Sequence, residues 1–127
     1  MTDAETVQLA PHEGDTDATR GVTRVANEVV ASIAALTALQ VRGVAAMYHP
    51  GAQSIDRIVR RSHAHRGVRV ELHDGALHLD LWIVMEAGGN VPVVGAAVQR
   101  RVAEAIERML GMQVEEINVF VSEVVFA

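Results

Sequence analysis

The sequence predicts a small α+β domain, with about four strands in one mostly antiparallel sheet and two amphipathic helices packed on one face. Three observations carry this. Apolar residues recur with a helical period in two stretches, Thr23–Gln40 and Asn90–Leu110. Between them, two runs of strict alternation flank Asp74-Gly75, a strong two-residue hairpin signal. A last alternating run covers Val114–Phe126. Helix, strand, hairpin, helix and strand in that order make an α+β pattern rather than a regular βαβ alternation.

In the first helix, Val25, Val29, Ile33 and Leu36 form one face, which Ala26 widens. Thr23 is the expected N-cap, and Gly43 lies where the chain turns. Val44–His49 reads as a strand that Pro50-Gly51 breaks. Ile55–Arg61 reads as a short helix, with Ile55, Ile58 and Val59 on one side.

The hairpin is the most sharply specified unit. A two-residue loop sets Leu72 opposite Leu77, Val70 opposite Leu79 and Val68 opposite Leu81 on one face. On the other face Arg69 meets Asp80 and Glu71 meets His78, both charge-compatible. The second helix starts at Asn90, a good N-cap, with Pro92 tolerated in its first turn. Its apolar face is Val91, Val94, Val98, Val102, Ala105 and Met109, and Gly111 stops it. Arg100, Glu104 and Arg108 occupy the opposite, exposed face. In the last strand Ile117, Val119 and Val121 share one side, and Asn118, Phe120 and Ser122 the other. The helix before it permits a right-handed crossover to a parallel strand.

A length of 127 residues suits one domain, and the absence of cysteine excludes a disulfide framework, a thiol nucleophile and a thiolate metal site. The net charge of −5 is unevenly placed: residues 1–20 hold Asp3, Glu5, Glu13, Asp15 and Asp17 against Arg20 alone. That run has few large apolar residues, so it reads as a disordered acidic tail ahead of one domain at residues 21–127. It has neither the basic start nor the apolar centre of a signal peptide, and no stretch has the roughly 18 apolar residues of a membrane span. The expected location is the cytoplasm.

Two surfaces stand out as candidates. Trp82, Val84 and Phe120 fall on the outer side of the hairpin and of the last strand. If those strands are neighbours, they form an exposed apolar patch suited to self-association or a partner protein. Arg57, Arg60, Arg61, Arg66 and Arg69, with His63 and His65, make an acid-free basic segment that could hold anions such as nucleic-acid phosphates. The segment has no aromatic residue for base stacking.

No catalytic motif is present. Gly-x-Ser-x-Gly, His-Glu-x-x-His and Walker-type sequences are all missing. Gly88-Gly89 lies between strand and helix but lacks phosphate-loop spacing. His63 and His65 have no partners completing a metal set, and His73 and His78 read as a solvated pair. No catalytic residue, cofactor or metal is expected.

Several segments carry a resemblance. Val25-Ala-Asn-Glu-Val-Val-Ala-Ser-Ile-Ala, Val41-Arg-Gly-Val-Ala, His65-Arg-Gly-Val-Arg-Val-Glu and Leu79-Asp-Leu-Trp-Ile-Val-Met-Glu-Ala-Gly occur in order. The second helix, Val98 to Val114, and Ile117-Asn-Val-Phe-Val complete the set. Together, over about Val22–Val125, they resemble the alkaline shock protein family of Gram-positive bacteria, also called envelope stress response proteins. The resemblance implies a non-enzymatic cytoplasmic protein of cell-envelope homeostasis. Such a protein would act as a membrane-proximal scaffold or adaptor, with itself or a membrane-anchored protein as partner. The competing reading is a small α+β nucleic-acid-binding module using the Arg57–Arg69 segment.

Overall fold

A computed structural model gives the fold and describes residues 6–9, 19–48 and 64–126. The elements are β1 (Thr6–Gln8), β2 (Arg24–Ala26), α1 (Asn27–Leu39), β3 (Val44–Met47), β4 (Ala64–His65), β5 (Val68–His73), β6 (Ala76–Glu86), α2 (Val91–Leu110) and β7 (Val114–Val125). The expected helix at Ile55–Arg61 and the Pro50-Gly51 break lie outside the described residues.

The α+β layout is as expected. The 11-residue β6 is the centre of the sheet. Along one of its edges β5 pairs with it first and β3 continues the ladder, both antiparallel. Along the other edge lies β7, parallel to it. A parallel neighbour needs a long connection, and α2 supplies it. The β5–β6 register is the predicted one, from Val68↔Leu81 to Leu72↔Leu77. Asp74 (φ 52°) and Gly75 (φ 82°) both take the left-handed conformation that a two-residue hairpin loop requires. A second tight turn, Arg66 (φ 56°) and Gly67 (φ 79°), joins the short β4 to β5, a connection that the alternation pattern does not mark.

Leu77, Leu79, Leu81, Ile83 and Met85 project from one side of β6 into the core. Both helices cover that side. From α2 come Val94, Val98, Val102, Ala105 and Ile106, while Val91 and Met109, at the helix ends, stay exposed against expectation. Asn90 caps α2 as predicted, its side-chain oxygen accepting from the Val93 N–H at 3.0 Å. Gly111 ends the helix at φ 69°.

The first helix departs more from its predicted face. It buries Val30, Ala31, Ala34, Ala35 and Ala38, whereas Val29 and Leu36 are 46% and 59% exposed. The sequence reading follows the largest side chains. The fold instead uses the alanine side, where small residues bring α1 close to its neighbours. The helix also begins later than Thr23. Arg24–Ala26 are drawn into β2, and the Thr23 carbonyl accepts from the Leu9 N–H at 3.1 Å.

The partner of β2 is β1, in an antiparallel pair from Thr6↔Ala26 to Gln8↔Arg24. Val7 is 1% exposed and belongs to the core, with Leu9 packed against it. The expected disorder of residues 1–20 therefore does not hold at Thr6–Gln8. Average composition hides a local alternation with one core valine.

Candidate interaction surface

The helices leave the other side of the sheet uncovered by secondary structure among the described residues, and three rows of side chains cross it from β5 to β7. The register places Trp82 of β6 beside Phe120 of β7. Their rings stack with centroids 5.4 Å apart and planes at 23°. Phe120 is 45% exposed and Trp82 half-buried. The two rings that sequence placed on one face are thus brought into contact, because β7 is indeed a neighbour of β6.

Val84 does not join them as an exposed group. It lies on the same face but is 7% exposed, between Ala46 of β3 and Glu123 of β7 in register. A central strand with neighbours on both edges leaves a valine little accessible surface. The candidate patch therefore consists of Trp82 and Phe120.

The next row is polar. Arg69 Nη2 donates to Asp80 Oδ2 at 3.0 Å, and Asn118 Nδ2 donates to Asp80 Oδ1 at 3.0 Å. Arg69 Nε also lies 3.6 Å from Glu71. This is the predicted Arg69–Asp80 pair, extended onto β7 by Asn118. It removes Arg69 from the candidate anion-binding set, since its charge is held by Asp80. Arg66 sits in the turn after β4. Arg57, Arg60, Arg61 and His63 lie outside the described residues.

The third row differs from expectation. Glu71 and His78 are opposite in register, yet each turns to another partner. His73 Nε2 lies 3.0 Å from Glu71 Oε1. His78 Nδ1 lies 3.0 Å from Glu116 Oε1, and its Nε2 lies 3.1 Å from Glu115 Oε1. The two imidazoles meet edge to face at 4.6 Å. The histidines are therefore ion-pair partners rather than a solvated pair. Sequence could not reveal this, because the glutamates arrive from a parallel strand whose place is set by tertiary packing.

The hydrogen bond to Glu116, then that to Glu115, raises the His78 pKa above 6.5. The hydrogen bond to His78, then that to Asn118, lowers Glu116. The hydrogen bond to His73 lowers Glu71. The groups facing His78 are Glu115 and Glu116 from β7 and His73 and Glu71 from β5. A raised histidine stabilises the fold below its unfolded value of about 6.5 and loses that contribution as pH rises through its folded value. The lowered carboxylates contribute above about 4.5 and lose it as pH falls through their folded values. The melting-temperature gap between wild type and His78→Gln should therefore be widest from about pH 4.5 to 6.5 and narrow above it. A gap that is flat from pH 5 to 9 would refute the pairing.

Among the described residues no three His, Cys, Asp or Glu side chains group as a metal site would need. No helix among them is long and apolar enough to cross a membrane. Stacked rings beside a charged network present a surface that can recognise another molecule; they do not assemble a nucleophile with a base.

The comparisons with known proteins agree with this picture. The model of the alkaline shock protein 23 family, described as having a cell envelope-related function, matches residues 15–126. The uncharacterized protein YqhY of Bacillus subtilis is 31% identical over 107 residues, covering 84% of this chain and 78% of YqhY. The uncharacterized protein YloU of the same organism is 26% identical over 102 residues, covering 79% of this chain and 85% of YloU. Among solved structures, a MamM C-terminal domain superposes with a TM-score of 0.53 at 19% identity, over 76% of this chain and 96% of that one. This last likeness is one of fold.

Proposed function

The chain belongs to the alkaline shock protein 23 family, whose function is cell envelope-related, and from that premise we propose that it is a membrane-proximal scaffold or adaptor acting through protein contacts rather than catalysis. It works in the cytoplasm of a Gram-positive cell and reaches the membrane through an anchored partner. The observation that carries this is the Trp82–Phe120 stack, which leaves a large aromatic ring open on a sheet face that no helix covers. Aromatic anchors of this kind dominate protein interfaces. Exposed Glu115, Glu116 and Glu123 flank Phe120 on the same strand. A fitting partner surface therefore has an apolar centre and a basic rim. The nucleic-acid reading has less support, since Arg69 is already paired with Asp80.

The test uses the full chain carrying Trp82→Asp. Affinity capture from the native host, with membranes retained, should recover an envelope protein with wild type and lose it with the variant. Circular dichroism should show the variant folded. Equal recovery by the folded variant would sink the proposal.

A further inference from the structure

The edge of β7 points to a specific mode of self-association. Among the described residues β7 pairs with β6 alone, so its other edge is open. Which main-chain groups face that edge follows from the hydrogen bonds of β6. The Trp82 N–H donates to Gly67 O, and Trp82 O accepts from the Tyr48 N–H, both at 2.9 Å. Even-numbered β6 residues thus face β5 and β3, and odd-numbered ones face β7. In agreement, the Leu77 N–H donates to Gln113 O at 3.0 Å and the Ala87 N–H to Val125 O at 2.8 Å.

Alternate residues of a parallel strand turn their main chain to the neighbour. With Trp82 opposite Phe120, the residues Glu116, Asn118 and Phe120 turn theirs to β6. Ile117, Val119 and Val121 turn theirs outward. The carbonyl of Ile117 accepts from Gln99 Nε2 of α2 at 3.0 Å. Register shifts between Leu77 and His78 and between Ile83 and Val84 interrupt the ladder at the two ends of β7. Bulges and side-chain caps are the devices that blunt an edge. Here they leave one short window, Val119–Val121.

We propose that this window pairs antiparallel with the same window of a second copy, about a two-fold axis through Phe120. Val119 and Val121 of each chain then exchange main-chain hydrogen bonds with Val121 and Val119 of the other. Phe120 meets Phe120 of the second copy in the pair without hydrogen bonds, where side chains come closest. The two Trp82–Phe120 stacks become one row of four rings. The sequence around the axis is self-complementary. Glu115 falls opposite Val125, Glu116 opposite Val124, Glu123 opposite Ile117, and Asn118 opposite Ser122. No carboxylate faces another. Moving the axis to Val119 would oppose Glu115 and Glu123, and moving it to Val121 runs the ladder into the bulge. The proposal deepens the contact-surface reading and rests on it in using Phe120.

The chain has no cysteine, so introduced thiols report the register directly. Opposed Cα atoms in such a pair are about 4.5 Å apart, within the ~4.4–6.8 Å of disulfides. With oxidised glutathione, Phe120→Cys should form a covalent dimer. Asn118→Cys and Ser122→Cys should each stay monomeric alone yet cross-link when mixed. Light scattering should show wild type self-associating and Val119→Pro monomeric. Proline at 119 removes only an outward N–H, so the fold should be kept.

Absence of the Phe120→Cys dimer, or equal cross-linking of Asn118→Cys alone, would overturn the register. A monomeric wild type whose envelope partner is lost on Val119→Pro would overturn the second copy and give the edge to another chain. Cross-linking as expected, with partner capture indifferent to Trp82→Asp, would sink the adaptor reading alone. The reverse pair of results would sink edge pairing alone.

Discussion

Gly67→Ala is expected to lower the unfolding free energy by about 2–4 kcal/mol. Two effects combine. The residue sits at φ +79°, where an L side chain is strained, and a Cβ there would meet Tyr48 O at 2.7 Å and Trp82 O at 3.2 Å. Both oxygens belong to the main chain. Trp82 O already accepts from the Tyr48 N–H at 2.9 Å, so relief would disturb the join of β3 and β6. Gly75→Ala is the control: φ is +82°, but nothing lies within 4 Å of the added carbon. It should cost only the backbone term, about 1 kcal/mol. Urea titration separates the two, and equal losses would refute the clash.

Leu81→Ala should cost about 3–4 kcal/mol, within the 2–5 usual for such truncations. Leu81 is fully buried at the middle of β6, with Val68 beside it on β5 and Val119 on β7. Neighbours held on both sides by ladders cannot collapse readily into the space left. Leu36→Ala removes the same atoms from an exposed site on α1 and should stay within about 0.5 kcal/mol. If the two variants melted alike, the assignment of the core side of α1 would be wrong.

That contrast also marks where the sequence is informative. A period of two around Asp74-Gly75 settles the register of β5 and β6, because a one-residue slip would reverse every side chain. The termini of α2 are legible for a similar reason: Asn90 and Gly111 have local jobs that few residues perform. The orientation of α1 is not legible. Its two sides offer either large residues or alanines, and only the space between helix and sheet selects the alanines. The β1–β2 pair is lost in the composition of residues 1–20, where one buried valine weighs little. For the candidate surface, Trp82 and Phe120 can be assigned a face from alternation alone. Their contact, and the pairing of His78 with Glu115 and Glu116, needs the position of β7, which no local pattern encodes.

The sharing of one β6 edge between β5 and β3 also bears on how the chain is made. Met47 of β3 pairs with Ile83, 36 residues further on. At about 5–20 residues per second, the ribosome leaves β3 waiting roughly 2–7 s for its partner strand to be synthesised. The first half of the chain, with α1 already able to form, therefore emerges with unsatisfied strand edges. The β5–β6 hairpin, closed by a two-residue loop, is the first part of the sheet that can assemble from local contacts. It then serves as the template on which β3, synthesised earlier, and β7, synthesised last, are both laid down.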